Sequence, residues 1–165
     1  MNIRTIERND AEKLMKVMQQ VESESKFMLL ENGERNTNIP KAKQWIDDVL
    51  KQTNSTIFIA EENNHFIGYV MAFGGKARRN RHAAYIVMGI IHSHRSKGIG
   101  TQLLQKLEQW AIEQDIHRLE LTVMKPNKVA LGLYKKVGFE IEGTKKHSLL
   151  VEGQFIDEYT MSKLL

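Results

Sequence analysis

The 165-residue sequence contains no cysteine and only two prolines. The lack of cysteine excludes a disulfide framework, a thiolate zinc site, an iron–sulfur cluster and a cysteine nucleophile. With 41% hydrophobic and 27% charged residues, the composition is neither that of a disordered chain nor that of a collagen-like one. The sequence therefore predicts a folded protein that cannot carry an acyl group on a thiol.

Long apolar runs and a secretory pattern are also missing. Residues 1–7 lack the basic-then-apolar order of a signal peptide, and the longest near-apolar stretch, 83–91, is far shorter than the roughly 20 residues that span a bilayer. We therefore expect a cytoplasmic protein with no membrane partner. No segment resembles a linker or a repeat, which predicts a single domain over residues 1–165 and leaves open whether the chain forms a homodimer.

The charge balance carries a mild positive excess. The formal net charge is +4, which favours an anionic ligand but lies below that of a dedicated nucleic-acid-binding protein. A basic cluster at Lys76, Arg78, Arg79 and Arg81 contains no aromatic residue on which bases could stack. We therefore expect no nucleic-acid partner; the cluster contacts either an acidic ligand group or only solvent.

Hydrophobic periodicity predicts a mixed α/β fold. A strand–helix–strand unit of the observed length implies parallel pairing, whereas the three earlier strands suggest an antiparallel meander. The last two strands form a hairpin around Glu152-Gly153. The predicted helices cover about 10–23, 40–52, 98–114 and 127–137, and the predicted strands cover 55–61, 66–73, 83–91, 119–123, 146–151 and 155–161.

The most informative segment leaves an apolar strand, turns through a basic loop and opens an amphipathic helix. It reads Ile90-Ile91-His92-Ser93-His94-Arg95-Ser96-Lys97-Gly98-Ile99-Gly100-Thr101. Glycines allow backbone N–H groups to approach an anion, and the start of a helix offers unpaired donors and a positive dipole end. The segment is neither a dinucleotide-binding fingerprint, because Leu103 occupies the third glycine position, nor a phosphate loop ending in Gly-Lys-Ser/Thr.

The segment resembles the acyl-coenzyme A loop of the GNAT superfamily of N-acetyltransferases. The family pattern, Arg or Gln, two residues, Gly, one residue, Gly or Ala, is met by Arg95, Gly98 and Gly100. A second block, Asn127-x-x-Ala130-x-x-x-Tyr134-x-x-x-Gly138-Phe139, also has the family's spacing. One departure is His92, where many members carry proline. The stretch from about Arg81 onward is similar to the branch containing phosphinothricin, amino-acid and ribosomal-protein acetyltransferases.

The resemblance implies a GNAT fold, with a mixed sheet of about six to seven strands flanked by about four helices. It also implies acetyl-coenzyme A (acetyl-CoA) as the acyl donor, a primary amine of a small molecule or protein N-terminus as the acceptor, and no metal. Tyr134 would be the general acid that protonates the departing thiolate. The residues implied to bind the cofactor are Met88, Gly89, Ile90, Ile91, Arg95, Ser96, Lys97, Gly98, Ile99, Gly100, Thr101 and Asn127.

Several of these residues have plainer interpretations. Tyr134 has the helical spacing of a core-facing aromatic residue, and Asn127 suits a helix N-cap. His92 and His94 could share a metal, but two ligands without a third favour solvated loop histidines. The alternative function is a catalytically inactive acyl-CoA-binding protein or a basic nucleic-acid-binding module.

The general base is not assigned by the sequence. The strand before the loop contains no acidic residue, so the candidates stay unranked. They are Glu31, Glu34, Glu61, His82, Asp157 and a chain of water molecules.

Overall fold

The computed structural model describes residues 1–165 and contains seven strands and four helices. The order along the chain is β1–α1–α2–β2–β3–β4–α3–β5–α4–β6–β7. The strands are β1 (Asn2–Thr5), β2 (Thr56–Glu62), β3 (His65–Gly74), β4 (Ala83–Ile90), β5 (Arg118–Met124), β6 (Glu140–Val151) and β7 (Gln154–Leu164). The helices are α1 (Ala11–Glu24), α2 (Ile39–Leu50), α3 (Ile99–Glu113) and α4 (Lys128–Lys136). The predicted α/β architecture is confirmed.

All seven strands belong to one sheet with the order β1-β2-β3-β4-β5-β7-β6. The meander β2-β3-β4 is antiparallel, β4 and β5 are parallel, and β6 and β7 form the closing hairpin, as the sequence predicted. Strand β1 was not predicted from the sequence. It is four residues long and only partly buried, so its hydrophobic alternation is too short to recognise.

The sheet separates two helical layers. On one face, α1 and α2 pack against β2, β3 and β4, with Trp45 of α2 tilted against Phe73 of β3 at a ring separation of 6.3 Å. On the other face, Trp110 of α3 meets Phe58 of β2 edge to face. A single cluster of 36 buried residues fills both interfaces. Burial of this apolar surface in the two layers stabilises the sheet between them.

Strands β4 and β5 separate after a short paired segment. Only Ala83–Tyr85 of β4 pair with Arg118–Glu120 of β5, although β4 continues to Ile90 and β5 to Met124. Beyond Tyr85 each strand is paired only on its outer side, β4 with β3 and β5 with β7. This V-shaped opening, which we call the splay, exposes two backbone edges in the middle of the sheet.

Two further findings concern features considered above. No helix is both long and apolar enough to cross a bilayer. No group of three or more His, Asp or Glu side chains is close enough to share a metal ion. His94 instead lies with its Nε2 3.2 Å from the Glu62 carboxylate, and His92 is exposed.

Candidate active site

A cavity of about 1330 Å³ opens at the splay. It is lined from both faces of the sheet, by α1 and α2 on one side and by the loop before α3, the start of α3 and α4 on the other. Typical pockets for one small ligand measure about 300–1,000 Å³. The cavity is therefore large enough for two ligands that approach each other through the sheet.

The loop between β4 and α3 forms one end of the cavity. Ser96 and Gly98 have left-handed backbone conformations, with φ of 60° and 79°, and a Cβ added to Gly98 would meet open space. Gly98 precedes the first turn of α3 and offers no side-chain cap. The N–H groups of the first helical residues, Ile99, Gly100 and Thr101, therefore have no partner within the helix. These free donors and the positive end of the helix dipole make this end of the cavity suitable for an anion.

Gly100 has a different role from that of Gly98. It lies inside α3, and a Cβ added there would come within 2.7 Å of Leu133 Cδ2 on α4. Its φ is not positive, so a substitution there would not strain the backbone. The lack of a side chain at Gly100 lets α3 and α4 pack closely at the wall of the cavity, and a larger residue would displace the Leu133 methyl group.

The edge of β4 forms the middle of the cavity. Ile91 N–H donates to Ile67 O of β3 at 3.0 Å. Because successive N–H groups of a strand point to opposite sides, the amides of Met88 and Ile90 face the splay. Arg95 Nε donates to Ile90 O at 3.0 Å and so occupies one acceptor of this edge, whereas the N–H groups of Met88 and Ile90 stay available as donors.

Tyr134 reaches the cavity from α4. Its ring packs edge to face on Phe139 at 5.8 Å, and the residue is buried. Burial raises the pKa of Tyr134 to about 12, with a smaller contribution from Tyr85. The phenol therefore stays protonated across the physiological range. Asn127 caps the same helix, since its Oδ1 accepts a bond from Ala130 N–H at 3.2 Å, and it also lines the cavity.

Most of the residues singled out by sequence come together here. The cavity wall includes Met88, Gly89, Ile90, Arg95, Ser96, Gly98, Ile99, Gly100, Thr101, Asn127 and Tyr134. Ile91 and Lys97 do not line it: Ile91 is turned into the core with its N–H bonded to β3, and Lys97 is exposed. The basic cluster at residues 76–81 also lies outside the cavity wall.

None of the five acidic or histidine side chains considered as general bases lines the cavity. Its acidic residues are Glu22 of α1 and Glu158 of β7, which sequence reasoning missed. Glu22 follows Met15 and Met18 at helical spacing, so it places a carboxylate on the buried face of an amphipathic helix. A charged residue at an apolar position of the α1 pattern was therefore the sequence signal that could have identified Glu22 as a site residue.

Comparisons with known proteins agree with this geometry. The model of the acetyltransferase (GNAT) family matches residues 17–139. The L-amino acid N-acetyltransferase AaaT of Escherichia coli is 26% identical over 129 residues, which are 76% of this chain and 78% of that protein. The family match covers both the loop before α3 and the second block containing Tyr134.

Solved structures match over the whole chain. A GNAT-family acetyltransferase from Streptococcus pneumoniae is 29% identical with a TM-score of 0.95, covering 99% of this chain and 98% of that one. YncA from Salmonella typhimurium, described as a putative acetyltransferase solved with its cofactor acetyl-CoA, has a TM-score of 0.88 at 17% identity and shares the fold, covering 100% of this chain and 94% of that one. The chain therefore belongs to the GNAT acetyltransferase family, whose enzymes are acyltransferases.

Proposed function

We propose that the protein is an acetyl-CoA-dependent N-acetyltransferase that transfers the acetyl group directly to the primary amine of a small molecule. The observation that carries the proposal is the cavity through the splay, with an anion-binding loop at one end and the protonated Tyr134 in its wall. An L-amino acid is the first acceptor to test, because the relative from Escherichia coli acts on L-amino acids. A protein N-terminus, which carries the same kind of amine, is the second.

The residues of the cavity fit acetyl-CoA. The free N–H groups at the start of α3 and the guanidinium of Arg95 suit its phosphates. The unpaired edge of β4 at Met88 suits the amides of its pantetheine arm, and Asn127 lies beside the same route. The contacts expected of Ile91 and Lys97 are not part of the proposal, since neither residue lines the cavity.

The reaction requires the protein to position the amine against the thioester and to donate one proton to the leaving sulfur. When acetyl-CoA is bound it supplies an acetyl thioester. The neutral acceptor nitrogen forms the new C–N bond as the C–S bond breaks, and the proton that this nitrogen loses passes to water. The cavity brings amine and thioester together, which replaces a bimolecular encounter. The Tyr134 hydroxyl donates the proton that the leaving sulfur takes up. Because the chain has no cysteine, transfer within a ternary complex is the direct route.

The proposal is tested with a panel of amines. We expect release of free coenzyme A from acetyl-CoA with at least one member of a panel of L-amino acids, small polyamines and peptides with free N-termini. We also expect acetyl-CoA at about 100 times its Kd to stabilise the fold by about 2.7 kcal/mol, seen as a rise in Tm of about 5–10 °C. Binding without turnover of any amine would favour the inactive acyl-CoA-binding alternative, and no rise in Tm would overturn the proposal.

A second prediction concerns the charge on Arg95. Arg95→Gln should raise the Kd for acetyl-CoA by about 3- to 30-fold, because it removes a charge-assisted contact to a phosphate. The salt dependence of binding should also become shallower, since fewer charges are screened. Lys97→Gln makes the same change in net charge two residues away, outside the cavity, and should have a smaller effect on both quantities. Equal effects of the two variants would mean that only the general positive potential of the loop matters.

A further inference from the structure

Two buried side-chain polar atoms in this protein have no hydrogen-bond partner: Oε2 of Glu22 and the hydroxyl oxygen of Tyr69. Buried polar groups in folded proteins are nearly always paired, because an unpaired one loses its hydration without compensation. Both residues line the cavity, on its α1 and α2 side. Two unpaired polar atoms from residues of one cavity wall point to a ligand whose polar group pairs with them.

Glu22 is held so that one oxygen stays available. Its side chain is 2% exposed, and Oε1 accepts two bonds from Arg35, from Nε at 2.8 Å and from Nη2 at 2.5 Å. This fork fixes the carboxylate and leaves Oε2 free to accept a bond. A buried carboxylate is costly unless it is fully bonded, so the free oxygen favours a ligand that donates to it.

Tyr69 of β3 lines the same cavity as Glu22. It lies opposite Gly89 of β4, and a Cβ added to Gly89 would be 2.7 Å from both Cζ and the hydroxyl of Tyr69. The tyrosine ring therefore crosses β4 above Gly89, toward the splay. Burial raises the pKa of Tyr69, and the charge of Glu22 raises it further, with a smaller contribution from Tyr134. The three side chains are thus close enough to influence one another.

We propose that Oε2 of Glu22 and the hydroxyl of Tyr69 hold the amine of the acceptor inside the cavity. A protonated primary amine carries three N–H donors, and a carboxylate oxygen and a hydroxyl oxygen can each accept one. An anionic group at this position would be repelled by Glu22. The inference rests on the proposed function, and it adds that the site selects acceptors by their cationic amine, whose nitrogen loses one proton before it attacks the thioester. Gly89 is required there because any side chain would displace the Tyr69 ring.

Glu158, the other acidic residue of the cavity, does not have this property. Its Oε1 accepts a bond from Ser148 Oγ at 2.9 Å and lies 3.9 Å from Lys145 Nζ. Glu158 therefore has no buried oxygen that lacks a partner. Glu158→Gln removes the same charge from the same cavity and serves as the matched control.

The experiment compares Tyr69→Phe, Glu22→Gln and Glu158→Gln, with L-methionine as the first probe and then the amine of the panel with the highest turnover. Tyr69→Phe removes one hydroxyl that has no partner in the protein, so Tm should stay the same or rise. The KM for the acceptor should rise about 2- to 10-fold, and the KM for acetyl-CoA should not change. Glu22→Gln should raise the acceptor KM about 10- to 100-fold, as expected for loss of a charge-assisted bond. Glu158→Gln should raise it less than Tyr69→Phe does.

Calorimetric titration of the same amine into protein saturated with coenzyme A supplies a readout that does not depend on turnover, and its Kd should follow the same order. If the wild type acetylates an amine but Tyr69→Phe keeps the wild-type acceptor KM and Kd, the inference is overturned and the proposed function stands. Equal effects of Glu22→Gln and Glu158→Gln would also overturn it, since general negative charge would then explain both. If the wild type acetylates no member of the panel, the proposed function itself fails.

Discussion

Replacing Tyr134 with phenylalanine should lower kcat by about 10²- to 10⁴-fold, the usual cost of losing a positioned proton donor. The KM for acetyl-CoA should change little, because the hydroxyl acts when the C–S bond breaks and not when the cofactor binds. The pKa of about 12 keeps the phenol protonated at neutral pH. The variant therefore removes a proton donor and not an ionised phenolate. Stopped-flow measurement of the first turnover isolates the chemical step from product release.

The folded protein should tolerate this change. The Tyr134 ring is buried against Phe139, and phenylalanine keeps that edge-to-face contact. Tm should therefore move by no more than a few degrees. A large loss of kcat with little change in Tm would distinguish the catalytic role from the plainer interpretation of Tyr134 as a core aromatic residue. If Tyr134 only packs in the core, both kcat and Tm should stay close to their wild-type values.

Tyr85→Phe is the matched control. Tyr85 also lines the cavity, but its hydroxyl is already 2.8 Å from Thr122 Oγ1, so it has a partner within the sheet. We expect a loss of less than about tenfold in kcat for this variant, the scale of one neutral hydrogen bond. First-turnover rates that are equal to wild type in Tyr134→Phe, or equally reduced in both variants, would mean that Tyr134 is not the acid.

The residues of the proposed cofactor side could be identified as one group from sequence because their determinants are local. Within twelve consecutive residues the chain ends a strand, turns through Gly98 and starts α3, and each step has its own residue signature. The second block containing Asn127 and Tyr134 is likewise one short helix with its cap. The parallel pairing of β4 and β5 was predicted from the strand–helix–strand unit, whereas the point after Tyr85 at which the strands separate was not.

The acceptor side could not be predicted in the same way, because its residues meet only in the folded chain. Glu22, Arg35 and Tyr69 come from a helix, a loop and a strand, and only Glu22, a carboxylate on the buried face of α1, departs from the pattern of its own segment. Strand β6 shows a related limit. It runs over Glu140–Val151 with two register irregularities and mostly exposed residues, so its first half has no alternation to recognise.

The anion-binding end of the cavity predicts opposite effects of one substitution on stability and on binding. Thr101 is the third residue of α3, it is half-buried, and it lines the cavity. A glutamate there interacts favourably with the positive end of the helix dipole, which contributes about 0.3–1 kcal/mol. The Tm of Thr101→Glu in the absence of ligand should therefore equal or exceed that of the wild type.

Binding should change in the other direction. If the phosphates of acetyl-CoA lie against the N–H groups at the start of α3, the new carboxylate faces them with a like charge. At about 5 Å and an effective dielectric constant of about 20, one such pair costs roughly 3 kcal/mol. This corresponds to an increase of about 100-fold in the Kd for acetyl-CoA. The loss should shrink as salt is raised, because screening weakens repulsion between partly exposed charges.

Thr101→Gln separates charge from size. It has nearly the same shape as the glutamate variant and no charge, so its Kd for acetyl-CoA should stay within a few-fold of the wild-type value. The test is calorimetric titration of acetyl-CoA into the three proteins at two salt concentrations, with melting curves of the free proteins measured alongside. Similar Kd values for the Glu and Gln variants would mean that no phosphate lies near Thr101. The anion-binding end would then have to be placed elsewhere in the cavity, although the fold of α3 would be unaffected.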